Sequence, residues 1–213
     1  MQELQLFTSA LNLTSPWYVS QVKIEEPLGK KELHIWIEHT AGVKFAYEGE
    51  DCPVYDHQAR TWKHLDFFEH ECYLHASVPR VKLSNGKVRL VAVPWAEAGS
   101  SFTLLFCIKV MRLVQGGMSI PKAGQEMRIS AKRVFRLIDS EVAHALATQA
   151  LAPVRELSID ETSSRKGHNY LTILGDREAK KVVGISVGKD IEAVSNALVD
   201  MEVRGADKEQ VKA

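Results

Sequence analysis

Ser119-Ile-Pro-Lys-Ala-Gly-Gln-Glu-Met-Arg-Ile-Ser-Ala-Lys-Arg-Val-Phe-Arg136 carries two helix starts within eighteen residues. Ser119 with Pro121 in the first turn opens a short helix running to about Met127, since proline is preorganised for a helix start. Ser130 then caps a longer helix, in which Val134, Leu137, Ile138, Val142, Ala145 and Leu146 recur at helical spacing. Upstream, Ser101 can cap an apolar helix through Gln115, stopped by Gly116-Gly117. The middle of the chain therefore reads as three helices with tight connections.

Charge gives this unit a direction. Between Lys109 and Arg136 stand seven basic residues (Lys109, Arg112, Lys122, Arg128, Lys132, Arg133, Arg136) and one acid, Glu126, a local excess of six. A short helix, a tight turn and a longer helix with basic first turns fit a helix-turn-helix, whose second helix enters the major groove while its flanks grip phosphates. The candidate DNA contacts are Lys122, Arg128, Lys132, Arg133 and Arg136. From pattern alone, a three-helix bundle with a solvated basic face stays open beside that reading.

Working outward, the N-terminal half reads as β-rich. Leu33, Ile35 and Ile37 alternate with polar and aromatic neighbours, and the Trp17–Glu25 run joins them through Pro27-Leu28-Gly29, which predicts a hairpin. Tyr73–Leu83 and Val88–Trp95 flank Ser84-Asn85-Gly86-Lys87, where Asn-Gly predicts a type I′ turn with two positive-φ residues. Beyond Pro153 the period returns to two. Leu157 and Ile159, Tyr170–Leu174 and Lys181–Val187 predict strands, and a helix begins near Asp190 with Ile191, Val194, Leu198 and Met201 as its stripe. Residues from Arg204 onward read as polar, with no element to pack on. The fold class expected is α+β, with modules at 1–98, 99–152 and 153–213.

Composition bounds what these modules do. The chain has 213 residues, 45% hydrophobic and 25% charged, and 27 Lys+Arg balance 27 Asp+Glu, so disordered and fibrous classes are excluded and nucleic-acid affinity must be local. Three cysteines argue against a disulfide framework, and the N-terminus lacks a basic and apolar leader, which together predict a cytoplasmic protein. The most apolar run, Phe102–Val114, carries Lys109 and Arg112 and is too short to span a membrane.

Metal and nucleophile signals are weaker. Cys52, His57, His64, His70, Cys72 and His75 crowd together, but no Cys-x2-Cys pair exists, and on a strand Cys72 and His75 face opposite sides. The expectation is a packed Cys72, surface histidines and no zinc. No serine sits in a glycine-flanked elbow, Cys107 lies in the apolar helix, and Gly116-Gly117 is followed by no Lys-Ser/Thr, so hydrolase and phosphate-loop classes drop out. Asp160, ending a short apolar strand, is placed to hold Mg²⁺ or simply to open a polar loop.

Several stretches carry a family resemblance: Arg60-Thr-Trp-Lys-His-Leu-Asp-Phe-Phe, Tyr73-Leu-His-Ala-Ser-Val-Pro-Arg-Val, Val93-Pro-Trp-Ala, Ser101-Phe-Thr-Leu-Leu-Phe and Ile159-Asp-Glu-Thr-Ser-Ser-Arg-Lys-Gly-His-Asn-Tyr. In this order they resemble bacterial insertion-sequence transposases of the ISL-three family. The resemblance implies a zinc-ribbon module at 1–98, a helix-turn-helix at 99–152 and the start of an RNase H-like domain with a DDE triad at 153–213. It makes Asp160 the first triad acid, a Mg²⁺ ligand for phosphoryl transfer if the enzyme is active. The other two acids have no match before Ala213, so a catalytically incomplete, truncated DNA-binding protein is expected. The family's cysteine knuckles are replaced by Phe45-Ala-Tyr-Glu-Gly-Glu and Lys82-Leu-Ser-Asn-Gly-Lys, which adds to the expectation of a metal-free β domain. The partners implied are double-stranded DNA at terminal inverted repeats and a second copy or a full-length transposase. Two other readings stay open: an active enzyme whose missing acids come from elsewhere, and an interaction protein that no longer binds DNA.

Overall fold

Apolar alternation puts Leu33, Ile35 and Ile37 on one face of a strand, and burying that face requires a sheet. The structure is a computed structural model that describes residues 2–148, 154–165 and 169–206. Its contacts gather into two compact units, Met1–Val134 and Phe135–Ala213. The helices expected to stand apart from the β-rich part begin within the first unit. Backbone hydrogen bonds between Lys63 and residues 101 and 103 tie their entry to the sheet.

The first unit opens with α1 (Gln2–Ala10), followed by β1 (Trp17–Glu25), β2 (Glu32–His39), β3 (Lys44–Tyr47), β4 (Glu50–Phe67), β5 (His70–Lys82) and β6 (Val88–Leu90). These form a sheet in the order β1-β2-β5-β4-β3, with β6 on β5. β1 pairs with β2 antiparallel, as the sequence predicts, through a short 3-10 turn at Pro27–Gly29. β2 and β5 run parallel, so the chain crosses out through the β3–β4 hairpin before returning beside β2. The core beneath holds Leu33, Ile35, Ile37, Leu74, Val78 and Val81, with Trp95 edge-on to both Trp17 and Trp62. Each fully buried Leu, Ile or Val contributes about 1.5–3 kcal/mol.

The predicted second hairpin is corrected in two respects. The long partner of β5 is β4, whose mixed polar composition hid an 18-residue strand, and β6 pairs only with Arg80–Lys82. Of the Asn85-Gly86 pair only Gly86 has positive φ, +79°. Leu83 N donates to Lys87 O and Gly86 N to Leu83 O, both at 2.9 Å. This is a three-residue loop with a glycine bulge, not a type I′ turn.

α2 (Leu104–Gln115), α3 (Ile120–Glu126) and α4 (Ala131–Thr148) follow. Thr103, not Ser101, caps α2, its hydroxyl accepting from Phe106 N at 3.3 Å. Ser130 accepts from Arg133 N through its carbonyl and, at 3.4 Å, through its hydroxyl, which starts α4 where expected.

The second unit contains the rest of α4 and the antiparallel meander β7 (Leu157–Arg165), β8 (Asn169–Asp176) and β9 (Lys181–Val187), with α5 (Ile191–Val203) packed on β9 and β8. Its core is Val154, Leu174, Val183, Ala197, Met201 and Ala206. Gly184 allows the helix this close: a Cβ there would lie 2.4 Å from Ala197 O. The expectation that the chain from Arg204 packs on nothing is corrected, because Arg204 Nη1 donates to Val183 O at 3.2 Å and Ala206 is buried. The rest of that stretch, 207–213, and Lys166-Gly167-His168 of the quoted motif lie outside the described residues. The molecule is thus mixed α and β with a β-rich N-terminal part.

Candidate nucleic-acid interface

The α3–α4 pair is built by close backbone approach. Gly124 sits in α3 where an added Cβ would meet Ile129 O at 2.8 Å and Ala131 N at 3.2 Å. Ile129 N donates to Gly124 O at 2.9 Å, and Arg128, with φ +51°, takes the left-handed position that turns the chain toward α4. Ala123, Met127 and Val134 are buried inside the turn. The remaining surface carries the charge.

β4 holds this helical unit in place. Lys63 N donates to Ser101 O at 3.0 Å and Thr103 N to Lys63 O at 3.1 Å, which fixes the entry into α2. Thr103 Oγ1 also lies 2.8 Å from His64 Nδ1. Burial holds the His64 imidazole well below its ordinary range, at about 4. Lys63 is buried and is neutralised by an ion pair with Glu71, which also accepts from Tyr73 Oη at 3.0 Å.

The five predicted DNA contacts divide into two groups. Lys122, Lys132 and Arg136 are exposed on α3 and α4, and the last two are four residues apart on one helix. Arg128 and Arg133 are engaged within the protein. Arg128 Nη1 donates to Asp66 Oδ2 at 2.7 Å and to Glu69 O at 3.2 Å. Arg133 Nη2 donates to Ser101 Oγ at 2.9 Å, and its guanidinium lies 4.5 Å from the Phe102 ring centroid. Sequence reasoning missed the acids of the β4–β5 turn, because nothing in Asp66 or Glu69 signals a partner sixty residues downstream.

Asp160 lies on β7, opposite Ile173, on the sheet face turned away from α5. It is exposed, and its Oδ1 accepts from Glu161 N at 2.8 Å. Asp176 accepts from Glu178 N and Ala179 N in a turn and Asp190 caps α5, while Asp200 lies within α5, so each has a local structural place.

On the β4–β5 hairpin, Cys52 and Cys72 are buried, and burial pushes the Cys72 thiol up to about 12. His75 lies on the opposite face from Cys72, with its Nε2 2.8 Å from His34 Nδ1. His57 meets His39 ring to ring, Nε2 to Nε2 at 3.0 Å. Among the described residues, no group of three or more His, Cys, Asp or Glu is placed to hold a metal ion.

A helix-turn-helix module seated on a β domain is the class of protein that these features define. Residues 91–142 match the helix-turn-helix domain of transposase family ISL3, and residues 49–83 match the zinc-finger of transposases IS204/IS1001/IS1096/IS1165. Together the matches make this chain a relative of the ISL3-type insertion-sequence transposases. The transposases for insertion sequence element IS1557 from two Mycobacterium tuberculosis strains, CDC 1551 / Oshkosh and ATCC 25618 / H37Rv, are each 31% identical over 149 residues. That is 67% of this chain and 32% of the relative, so the chain spans about a third of the length of the curated relatives it matches. No solved structure gives a significant match.

The zinc-finger match corrects the expectation that no zinc is involved: β4 and β5 are the family's zinc-ribbon segment. The cysteines present there stand far apart along the hairpin, Cys52 against Phe45 and Cys72 against His64, and do not converge on one ligand set. No helix among the described residues is long and apolar enough to cross a membrane.

Proposed function

We propose that this chain is a transposase-derived DNA-binding protein that recognises duplex DNA, at terminal inverted repeats, through α3 and α4. The observation that carries the reading is the match of residues 91–142 to the ISL3 helix-turn-helix, together with exposed Lys122, Lys132 and Arg136 on its last two helices. The N-terminal half of α4 enters the major groove, and the exposed cations contact phosphates on its flanks. The division into modules at 1–98, 99–152 and 153–213 belongs to this reading.

Within the third module, the meander β7–β8–β9 followed by α5 supports the start of an RNase H-like domain, with Asp160 at the position of a first DDE acid. Mg²⁺ there would polarise a scissile phosphate. Asp160 is the triad acid that the sequence resemblance supplies, and the reading rests on DNA binding, not on strand transfer.

Fluorescence anisotropy with terminal-repeat and random duplexes across a salt series tests the proposal. Salt-sensitive binding that prefers the repeats supports it. Absence of binding to either duplex at low salt overturns it and leaves the interaction-protein reading, with a second copy or a full-length transposase as partner.

A further inference from the structure

We propose that Arg128 is a positioning residue: together with Asp66 at the end of β4 and Glu69 of the β4–β5 turn it forms a clamp that fixes the helix-turn-helix turn to the β-sheet. The inference rests on the DNA-binding reading above for its affinity readout, but not for its structural one. Three observations meet at this point. The first is the bonding: Arg128 Nη1 reaches both Asp66 Oδ2 and the Glu69 carbonyl, and Nη2 lies 3.6 Å from Glu69 Oε2. Two hydrogen bonds and an ion pair turn this guanidinium toward the end of β4 and the β4–β5 turn.

The second observation is backbone geometry. Phe67 pairs with His70, and between them Phe68 and Glu69 have φ of +46° and +66°, so the β4–β5 turn takes the type I′ form without the glycine or asparagine it favours. Arg128 has φ +51° in the α3–α4 turn, where glycine is the usual residue. Left-handed non-glycine residues stand on both sides of one ion pair. Such residues persist where the surroundings hold them and where the side chain is needed.

The third observation is that the contact continues. Lys63 Nζ lies 3.5 Å from the Arg128 carbonyl and is ion-paired with Glu71, and Arg133 is bonded to Ser101 and stacked on Phe102, one turn into α4. The cavity walled by Thr61, Lys63, Glu71, Tyr73, Arg128 and Arg133 is therefore a seam between the sheet and the start of α4. A clamp here holds the α3–α4 turn and the first residues of α4 on the sheet before DNA arrives, which lowers the ordering cost of binding.

The experiment compares the full chain with Arg128→Gly, Asp66→Asn and the double variant. Glycine suits the left-handed turn, so Arg128→Gly removes the side chain without straining the backbone. Two readouts are taken: duplex affinity across a salt series by anisotropy, and amide hydrogen exchange of residues 120–134. Exchange in that segment is expected to quicken in both single variants and no further in the double. Affinity is expected to fall about two- to fivefold in each, the scale of a partly exposed ion pair, with the salt slope of Arg128→Gly unchanged. Asp66→Asn discriminates, because removing a negative charge would tighten DNA binding if charge alone mattered.

Tighter binding by Asp66→Asn, or a salt slope reduced by about one unit in Arg128→Gly, overturns the clamp and returns Arg128 to the phosphate contacts. Unchanged exchange in residues 120–134 also overturns it. If the parent chain binds no duplex, the proposed function fails, and hydrogen exchange decides the clamp.

Discussion

Replacing Gly124 with alanine tests the close packing on which the helix-turn-helix depends. The new Cβ would stand 2.8 Å from Ile129 O and 3.2 Å from Ala131 N, both backbone atoms at the turn into α4. No side-chain rotation relieves that contact, so α3 and the start of α4 must separate by several tenths of an ångström. Overpacking of this kind costs about 1–3 kcal/mol. The gain in helix propensity on replacing glycine returns about 0.5–1 kcal/mol, since α3 is otherwise helical at this position. The net expectation is about 1 kcal/mol of destabilisation, with about 2.5 kcal/mol as the upper bound, or about 2–4 °C in Tm at the central value for a chain of this size. Differential scanning fluorimetry measures the shift, and anisotropy with the repeat duplex measures the accompanying loss of affinity. Gln125→Ala is the control: it is exposed, adds no atom, and is expected to shift stability by less than about 0.5 kcal/mol. A Gly124→Ala protein that melts at or above the parent temperature and binds DNA equally well would refute the reasoning, because helix propensity would then have outweighed the close approach.

Other expectations concern different parts of the molecule. Lys132→Ala and Arg136→Ala are each expected to lower the salt slope of duplex binding by about one unit, and slopes that stay at the parent value would remove these residues from the interface. The depressed pKa of His64 makes stability pH-dependent: the unfolded chain takes the proton first, so stabilisation complete above about 6.5 is lost as pH falls toward about 4. The loss is up to about 3 kcal/mol, and chemical denaturation of His64→Gln should show a flatter pH profile than the parent. Gly184→Ala would place a Cβ 2.4 Å from Ala197 O, and faster amide exchange in β9 and α5 than in β4 and β5 is expected. Asp160→Asn should change neither Tm nor duplex affinity, since its carboxylate is exposed and accepts only from Glu161 N among the described partners; a loss of either would give it a structural role.

Local signals made much of this molecule legible. The three helices, the β1–β2 hairpin and the strands β7, β8 and β9 follow from apolar period, caps and glycine stops, which act over a few residues. The candidate cations could be named because they lie within one short window of sequence. Residues 49–83 were harder. The sequence shows β4 as a mixture of Asp, His, Arg and Lys, and only its place between β5 and β3 makes that composition a strand. The missing cysteine knuckles led the sequence reading away from zinc, while the match over the whole segment returns it to the zinc-ribbon family.

The order of elements, the charge of the helical unit and the family of the two modules can be read from the residues alone, since each is written in contiguous sequence. How those charges are used is set by packing. Arg128, Arg133, Lys132 and Arg136 are one basic run in the sequence. In the fold, Asp66, Glu69 and Ser101 arrive from distant positions and occupy the first two. The other two are left exposed on α4. A cation's role depends on which partner reaches it first in space, and that distance is fixed by packing rather than by neighbours along the chain.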